Sequence, residues 1–163
     1  MTYLFIASVI KNKDVEETQD NAIKAGGSRP KAPIHITYRS PFTTNKIQET
    51  IEATKKTATL KRFETSTEKL KIFGRNALAF EIKQTKEMQE LHERIMKETE
   101  NLRQDIKKDK FVFAKYKPHM TIAYDVAEEK ISELQKKPIK IAIDNICVLQ
   151  KNEKWKIIER VNL

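Results

Sequence analysis

Residues 33–38 read PIHITY, and residues 118–122 read PHMTI. Each stretch contains a histidine, an apolar residue, a threonine and a second apolar residue, in that order. The chain has only three histidines, so chance is a poor explanation for one pattern around two of them. A pattern that recurs in this way indicates two related structural units within one chain.

The apolar and β-branched residues around both motifs predict strands. Side chains alternate between the two faces of a strand, so His35 and Thr37 lie on one face and their apolar neighbours lie on the other. The same rule places His119 beside Thr121. If the two strands face a common cleft, two imidazoles and two hydroxyls surround one small group.

This set of side chains suits a tetrahedral phosphate. An ordinary imidazole titrates near pH 6.5, so one histidine can accept a proton while the other donates one. The threonine hydroxyls can bind the non-bridging oxygens, where negative charge increases in the transition state. The chemistry requires no metal and no cofactor. The alternative, that both are ordinary core histidines, leaves the matched threonines unexplained.

Hydrophobic periodicity predicts strands and helices in two similar halves. The predicted strands cover residues 3–10, 34–39, 59–65, 70–73, 77–82, 119–124, 139–149 and 155–161. The predicted helices run from residue 14 to the glycines at 26–27 and over residues 46–56, 85–105 and 128–137. Strand, helix, proline-containing loop and histidine-bearing strand follow one another over residues 3–39 and again over 77–124, as a weak internal repeat.

The two motifs resemble the paired signatures of the 2H phosphoesterase superfamily, which includes 2′-5′ RNA ligase-like proteins and cyclic phosphodiesterases. The contexts HITYRSPF (residues 35–42) and YKPHMTIAYD (residues 116–125) agree with that family. The separation of 84 residues between the histidines (35 to 119) agrees with it too. The order of elements is similar over nearly the whole chain, whereas specific matches are confined to the motifs.

The resemblance implies one domain, residues 1–163, with a bilobed, pseudo-twofold α+β fold in which two antiparallel sheets line a central cleft and helices pack outside. It implies metal-independent phosphodiesterase activity on 2′,3′-cyclic phosphates or 2′-5′ linked RNA or nucleotides. By position, His35 and His119 are the expected acid–base pair, and Thr37 and Thr121 the expected phosphate-binding hydroxyls. Which histidine is the base, and whether hydrolysis or ligation dominates, stay open.

The chain departs from the family pattern at one position. Many relatives carry an arginine three residues after the second threonine, where this chain has Tyr124. By the alternation rule Arg39 shares the face of the first motif, so it is a candidate replacement for that cation. The candidate substrate-binding residues beside the motifs are therefore Arg39, Tyr38, Tyr124 and Lys117.

The composition excludes several other kinds of site. With only three glycines, neither GxGxxG nor GxxxxGK[ST] can be written, which argues against a glycine-rich phosphate loop. The single cysteine, Cys147, excludes a disulfide framework and a thiolate zinc site, and it fits a reducing cytosol. We expect Cys147 to be an inert packing residue and His92, on the long helix, to have no catalytic role.

The formal net charge of +9 favours an anionic partner such as nucleic acid or nucleotide, although a solvated, lysine-rich surface is an equal alternative. The basic, aromatic segment Lys107–Lys117 could follow an RNA backbone, or it could be a half-buried strand with solvated lysines. The second function hypothesis is an RNA- or nucleotide-binding module with little turnover. No apolar run reaches the roughly 18 residues of a membrane span, and we expect a cytoplasmic monomer.

Overall fold

Strands and helices occur in the predicted order. The computed structural model describes residues 1–105, 112–135 and 137–163. The strands there are β1 (Thr2–Val9), β2 (His35–Thr44), β3 (Phe63–Phe73), β4 (Ala77–Ile82), β5 (His119–Tyr124), β6 (Lys140–Ile143), β7 (Asn145–Lys151) and β8 (Trp155–Asn162). The helices are α1 (Lys13–Lys24), α2 (Ile47–Thr57), α3 (Lys86–Thr99) and α4 (Ile131–Leu134).

Two antiparallel sheets of four strands each form the two lobes of the fold. Sheet 1 has the strand order β2-β1-β7-β8, and sheet 2 has the order β5-β4-β3-β6. The histidine-bearing strands β2 and β5 therefore lie at one edge of their sheets, and these two edge strands approach each other. The arrangement confirms the expected α+β fold with two antiparallel sheets.

The internal repeat extends to the pairing of the strands. Thr37 of β2 pairs with Ala7, and Thr121 of β5 pairs with Ala79. One step further along, the register shifts in both pairs, so one extra residue of each motif strand lacks a partner opposite it. The two lobes therefore share a β-bulge directly after the motif threonine.

A helix from the opposite lobe supports each motif strand. Helix α3, which connects β4 to β5, packs on β2, and helix α1, which connects β1 to β2, packs on β5. The bulge residue of β2 is Tyr38, and its carbonyl oxygen accepts a 2.7 Å hydrogen bond from Nδ1 of His92 in α3. The bulge residue of β5 is Ile122, and its carbonyl oxygen accepts a 2.8 Å bond from Nε2 of Gln19 in α1.

One hydrophobic core extends through both lobes. It contains fully buried side chains such as Leu4 of β1, Leu78 of β4 and Leu91 of α3. Phe5, the next residue along β1, belongs to a second cluster on the opposite face of sheet 1. The main core thus lies on the helix-covered face and leaves the other face for a cleft. Every helix in the described ranges is too short or too polar to cross a membrane.

Two strand boundaries differ from the prediction for reasons of sheet context. Strand β2 continues through Pro41 to Thr44, because the missing proline N–H is tolerated at a sheet edge and a second register shift occurs there. The predicted strand 139–149 is divided at Asp144 into β6 of sheet 2 and β7 of sheet 1. The periodicity detects both buried pieces but not the change of sheet between them.

The long helix is shorter than predicted. The prediction covers residues 85–105, whereas α3 ends at Thr99 and is followed by a 3-10 turn at Glu100–Leu102. The next residues pair with the end of β2: Thr43 donates its backbone N–H to a carboxylate oxygen of Asp105 at 2.7 Å. Because these tertiary bonds require an extended backbone, the helical pattern stops before them.

Two further predictions also change in extent. The predicted strands 59–65 and 70–73 are joined in the single strand β3, which begins only at Phe63 and contains an irregularity where the two would have separated. Residues 59–62 lie outside that strand. The predicted helix 128–137 consists of a 3-10 turn followed by α4, which ends at Leu134. Gln135 then accepts a 2.6 Å hydrogen bond from the backbone of β3 through its side chain. Residue 136 of that prediction lies outside the described residues.

Candidate active site

A cleft of about 560 Å³ is lined by residues of both motif strands. His35 and Thr37 of β2 line it together with Thr121 and Tyr124 of β5. The two predicted phosphate-binding hydroxyls thus border the same cavity as one of the two predicted catalytic histidines. We call this the first cavity.

His119 borders an adjacent, second cavity of about 730 Å³. Thr121 lies two residues further on the same face of β5, so the strand passes from one cavity to the other over about 7 Å. The two imidazoles lie within electrostatic range, because His119 is one of the groups that lower the pKa of His35. Lys117 borders the second cavity beside His119.

Both motif histidines make the same hydrogen bond to the backbone. Nδ1 of His35 lies 2.7 Å from the carbonyl oxygen of Pro33, and Nδ1 of His119 lies 3.0 Å from that of Lys117. A carbonyl oxygen can only accept, so each Nδ1 carries a proton. Each neutral imidazole therefore has a basic Nε2, and each imidazolium has an acidic Nε2–H.

A phenylalanine packs against each of these imidazole rings. The ring centroids of Phe5 and His35 are 4.7 Å apart. Those of Phe73 and His119 are 4.8 Å apart, and the two planes are nearly parallel at 15°. Together with the bonds at Nδ1, these contacts restrict how each ring can rotate.

Burial lowers the pKa of His35 below its ordinary value. The hydrogen bond to Pro33 opposes this shift, and the proximity of His119 adds to it. A lowered pKa favours the neutral ring near pH 7, which is the form that accepts a proton.

Tyr38 and Arg39 both point away from the cleft, Tyr38 because side chains alternate along β2 and Arg39 because of the bulge. The Tyr38 hydroxyl is 2.9 Å from the hydroxyl of Ser8. Arg39 is only 2 % exposed, and its Nη1 donates to the sulfur of Met96 in α3 at 3.1 Å. The expectation that Arg39 shares the face of the motif is wrong, because the extra residue of the bulge interrupts the two-residue alternation. Neither Tyr38 nor Arg39 lines either of the two cavities.

Tyr124 lines the first cavity and is joined there to a loop with two cationic residues, residues 28–31, which we call the basic loop. Its backbone N–H and carbonyl exchange two 2.9 Å hydrogen bonds with Ser28. This pairing brings Arg29 and Lys31 to the wall of the cavity. Arg29 is already held by Asp20, to which its Nη2 donates at 2.8 Å.

The aromatic wall of the first cavity was not found from the sequence. Phe5 and Trp155 line it and pack edge to face, with ring centroids 4.6 Å apart. The amino group of Lys151 lies 6.0 Å from the centroid of the Trp155 ring. These residues come from three different strands of sheet 1, so only the strand order brings them beside His35. Asn76 and Asp125 also line this cavity and were also missed.

His92 connects the segment before the second motif to the first motif strand. Besides its bond to Tyr38, its Nε2 accepts a 2.8 Å hydrogen bond from the backbone N–H of Phe113. The ring of Tyr116 stacks on that of His92 with centroids 4.0 Å apart and an angle of 4°. Both ring nitrogens are thus used in the neutral state, and neither cavity is lined by His92.

Other sequence predictions concern residues near the site. Residues 107–111 of the segment Lys107–Lys117 lie outside the described residues. Its described end forms a 3-10 turn at Phe113–Lys115 rather than a strand.

Cys147 is buried, and burial raises the pKa of its thiol. Within the described ranges, no group of three or more His, Cys, Asp or Glu is arranged to hold a metal ion.

Several solved structures share this fold. Escherichia coli LigT complexed with 3′-AMP matches with a TM-score of 0.71 and 13% identity, over 99% of this chain and 98% of that chain. TT0787 of Thermus thermophilus matches with a TM-score of 0.63 and 16% identity, over 100% and 98%. Usb1 of Kluyveromyces marxianus matches with a TM-score of 0.60 and 6% identity, over 99% and 98%. At these identities the likeness shows the fold.

No curated protein sequence matches the chain at a significant level. The family model described as the 2′-5′ RNA ligase superfamily matches residues 9–155. That range contains both motif strands and ends at the tryptophan of the cavity wall. Because the match covers most of the chain and the fold agrees with it, the chain belongs to the 2′-5′ RNA ligase superfamily of 2H phosphoesterases.

Proposed function

We propose that the protein is a phosphodiesterase that acts without a metal ion on 2′,3′-cyclic phosphates or on 2′-5′ linked RNA or nucleotides. The observation that carries the proposal is the matched pair of histidines, each with Nδ1 bonded to a backbone carbonyl and Nε2 left for proton transfer. Membership of the superfamily supports it. E. coli LigT has been solved with 3′-AMP and with NADP+, which supports a nucleotide as ligand.

In the proposed reaction His35 is the base and His119 is the acid. The lowered pKa of His35 supports this order, because the base must be neutral at the start of the reaction. Nε2 of His35 takes the proton of the attacking hydroxyl, which belongs to water or to a ribose. Nε2–H of His119 gives its proton to the leaving oxygen as the bond between phosphorus and that oxygen breaks.

Thr37 and Thr121 bind the non-bridging phosphate oxygens in this proposal. Both line the first cavity, and they come from opposite strands. A hydroxyl donates one hydrogen bond, so each of the two threonines can bind one oxygen. Their bonds become stronger as charge accumulates on these oxygens, which lowers the barrier rather than only tightening binding.

Lys31 supplies the positive charge that many relatives carry on an arginine at the position of Tyr124. The support for this assignment is the backbone pairing of Ser28 with Tyr124, because it places the basic loop next to Tyr124. Arg29 lies in the same loop but is bonded to Asp20. Lys31 is exposed and lines the first cavity.

The experiment is an assay of the purified protein, in the presence of EDTA, on nucleoside 2′,3′-cyclic phosphates and 2′-5′ linked oligonucleotides. We expect activity on at least one of these substrates and its loss in the double variant His35→Gln/His119→Gln. Lys56→Ala, which changes an exposed residue of α2, is the control. Activity that persists in the double variant contradicts the proposal.

The second candidate is an RNA- or nucleotide-binding module with little turnover. The cations that line the first cavity favour it: Arg29, Lys31 and Lys151. It predicts nucleotide binding that weakens with salt, persists in the double-histidine variant and yields no product. Trp155 is the single tryptophan of the chain and lines that cavity, so its fluorescence reports binding directly.

A further inference from the structure

Both motif strands have a backbone edge that faces away from the rest of their sheet. Strands β2 and β5 are each the end strand of a sheet. Directly after each motif threonine, one residue is skipped in the pairing with the neighbouring strand: Tyr38 in β2 and Ile122 in β5. A bulge residue of this kind has no partner opposite it, so pairing within the sheet does not fix the backbone there. The groups that fix it must come from outside the sheet.

In β5 the bulge is held by Gln19 of α1. This side chain is 6 % exposed, and its Nε2 donates the 2.8 Å hydrogen bond to the carbonyl oxygen of Ile122. Its Oε1 accepts a 2.5 Å hydrogen bond from Nη1 of Arg29 in the basic loop. Because an arginine side chain only donates and a carbonyl only accepts, these two partners leave one orientation for the amide. The bulge after Thr121 is therefore held by a side chain whose own position is fixed.

In β2 a different residue type makes the same two kinds of bond. His92 of α3 is 1 % exposed, its Nδ1 donates to the carbonyl oxygen of Tyr38, and its Nε2 accepts from the backbone N–H of Phe113. Gln19 and His92 each donate to the bulge of the other lobe, and each accepts from the segment that follows its own helix. The two lobes thus share the pair of bonds and not the residue, which indicates a requirement at the bulge rather than a way of packing the helix.

Each bulge is one residue away from a threonine hydroxyl of the first cavity. Thr37 and Thr121 line that cavity, whereas Gln19 and His92 line neither the first nor the second cavity. The χ1 angle of a threonine depends on its backbone angles, so a bulge that moves changes the direction of the hydroxyl. A donor to a developing oxyanion acts over a narrow range of distance. A displacement of about 1 Å is enough to cost about a hundredfold in rate.

We propose that Gln19 and His92 are positioning residues for the reaction and that each acts on the threonine of the other lobe. Gln19 of α1 sets the hydroxyl of Thr121, and His92 of α3 sets the hydroxyl of Thr37. The inference rests on the proposed function, in which the threonines bind the phosphate oxygens. It goes further because it makes turnover depend on two buried side chains outside both cavities.

The kinetic test is Gln19→Glu, which keeps an acceptor for Arg29 and removes the donor to the bulge. We expect kcat to fall about tenfold with KM unchanged within about twofold, because the loss acts on the transition state. In Thr121→Val, where the hydroxyl is already absent, the same change should lower kcat by less than about twofold. In Thr37→Val it should keep its full effect. Gln48→Glu, the same substitution at an exposed position of α2, is the control.

His92 is tested by removal and by rescue, with activity normalised to folded protein. His92→Phe keeps a ring for stacking on Tyr116 and removes both bonds, so it should lower kcat, except where Thr37 is already valine. His92→Asn places an amide N–H near the position of Nδ1 and should recover most of that loss. A role in packing alone predicts the opposite order, because asparagine fills less of the core than phenylalanine does.

A second measurement needs no turnover. The three-bond couplings of a threonine methyl carbon to its backbone nitrogen and carbonyl carbon report χ1 by NMR. We expect Gln19→Glu to change the couplings of Thr121 and to leave those of Thr37, and His92→Phe to do the reverse. Unchanged couplings of Thr121 in Gln19→Glu overturn the inference. So does a loss of kcat that is equally large in Thr121→Val.

Failure of the proposed function looks different. In that case the wild-type protein cleaves neither type of substrate, or its cleavage does not depend on His35 and His119, and the couplings alone decide the inference. Gln19→Met, which is similar in volume and has no N–H donor, replaces Gln19→Glu if the buried carboxylate prevents folding.

Discussion

The hydroxyl of Tyr116 donates a hydrogen bond of 2.9 Å to the backbone carbonyl of Thr37. Tyr116 lies three residues before His119, and Thr37 belongs to the other motif, so this bond joins the two halves of the candidate site. Burial raises the pKa of Tyr116 well above its ordinary value, which keeps the hydroxyl protonated as a donor. The stacked ring of His92 holds Tyr116 in place.

Removing this hydrogen bond should affect both stability and catalysis. In Tyr116→Phe the ring can still stack on His92, but the carbonyl of Thr37 loses its donor. We expect the free energy of unfolding to fall by about 1–2 kcal/mol, the usual cost of a buried group left without its partner. Urea unfolding measures this, with Tyr3→Phe as the matched control. A lower kcat is expected as well, and an unchanged kcat would contradict the role of this bond in joining the motifs.

The two motif threonines should act on the transition state. Thr37→Val and Thr121→Val keep the shape of each side chain and remove its hydroxyl. We expect each change to lower kcat by about a hundredfold with a smaller effect on KM, as for the loss of one donor to a developing oxyanion. Steady-state kinetics on the best substrate check this. Thr59→Val, at an exposed position, is the control. A rise in KM at constant kcat would instead indicate ground-state binding only.

The pH dependence should report the state of His35. When His35 is the base, kcat/KM falls on the acidic side as this ring becomes protonated. Burial lowers its pKa below the ordinary 6.5, so we expect the midpoint of the acidic limb below pH 6.5. A profile of kcat/KM between about pH 4.5 and about pH 8 measures it. A midpoint at or above 6.5 would contradict the assignment of His35 as the buried base.

The lowered pKa of His35 also predicts that this residue contributes to the pH dependence of stability. As the pH falls through 6.5, His35 gains its proton in the unfolded chain before it does so in the folded protein. The free energy of unfolding therefore decreases toward lower pH and retains its full value above 6.5. Urea unfolding of wild type and His35→Gln on both sides of this value tests the point, because the variant should show a weaker decrease.

Arg39 should not contribute to substrate affinity. Its guanidinium is bonded to Met96 and lies 4.9 Å from the centroid of the Phe42 ring, on the side of the strand opposite the cleft. We expect Arg39→Met to leave KM unchanged within about twofold once activity is normalised to folded protein. Lys31→Ala is the contrasting variant, for which KM is expected to increase. A large increase in KM for Arg39→Met would restore it as a substrate-binding residue.

The local alternation of side chains was sufficient to predict which residues of the motif strands share a face. His35 and Thr37 face one way because alternation holds over the three residues of the motif, and the same is true of His119 and Thr121. It failed at Arg39, only two residues further, because a β-bulge depends on the partner strand. Nothing in the order of residues 35–39 marks the extra residue.

Long-range arrangement accounts for the parts that the sequence did not predict. Phe5 and Trp155 meet beside His35 only because β1, β2 and β8 belong to one sheet, and pairing order is a property of the whole chain. The division at Asp144 is similar, since buried strands of either sheet have the same apolar composition. Hydrophobic periodicity shows that a segment is buried. Which helix or strand it packs against depends on the tertiary structure.

The exchange of helices between the lobes determines what happens when the chain is divided. Helix α1 packs on β5 and α3 packs on β2, so each motif strand rests on a helix encoded in the other half of the sequence. A chain cut between β3 and β4 would separate each helix from its strand, and neither piece could bury its apolar face alone. The same cut would also divide both sheets, because β1 pairs with β7 and β3 pairs with β6, so the two lobes depend on each other for strands as well as for helices.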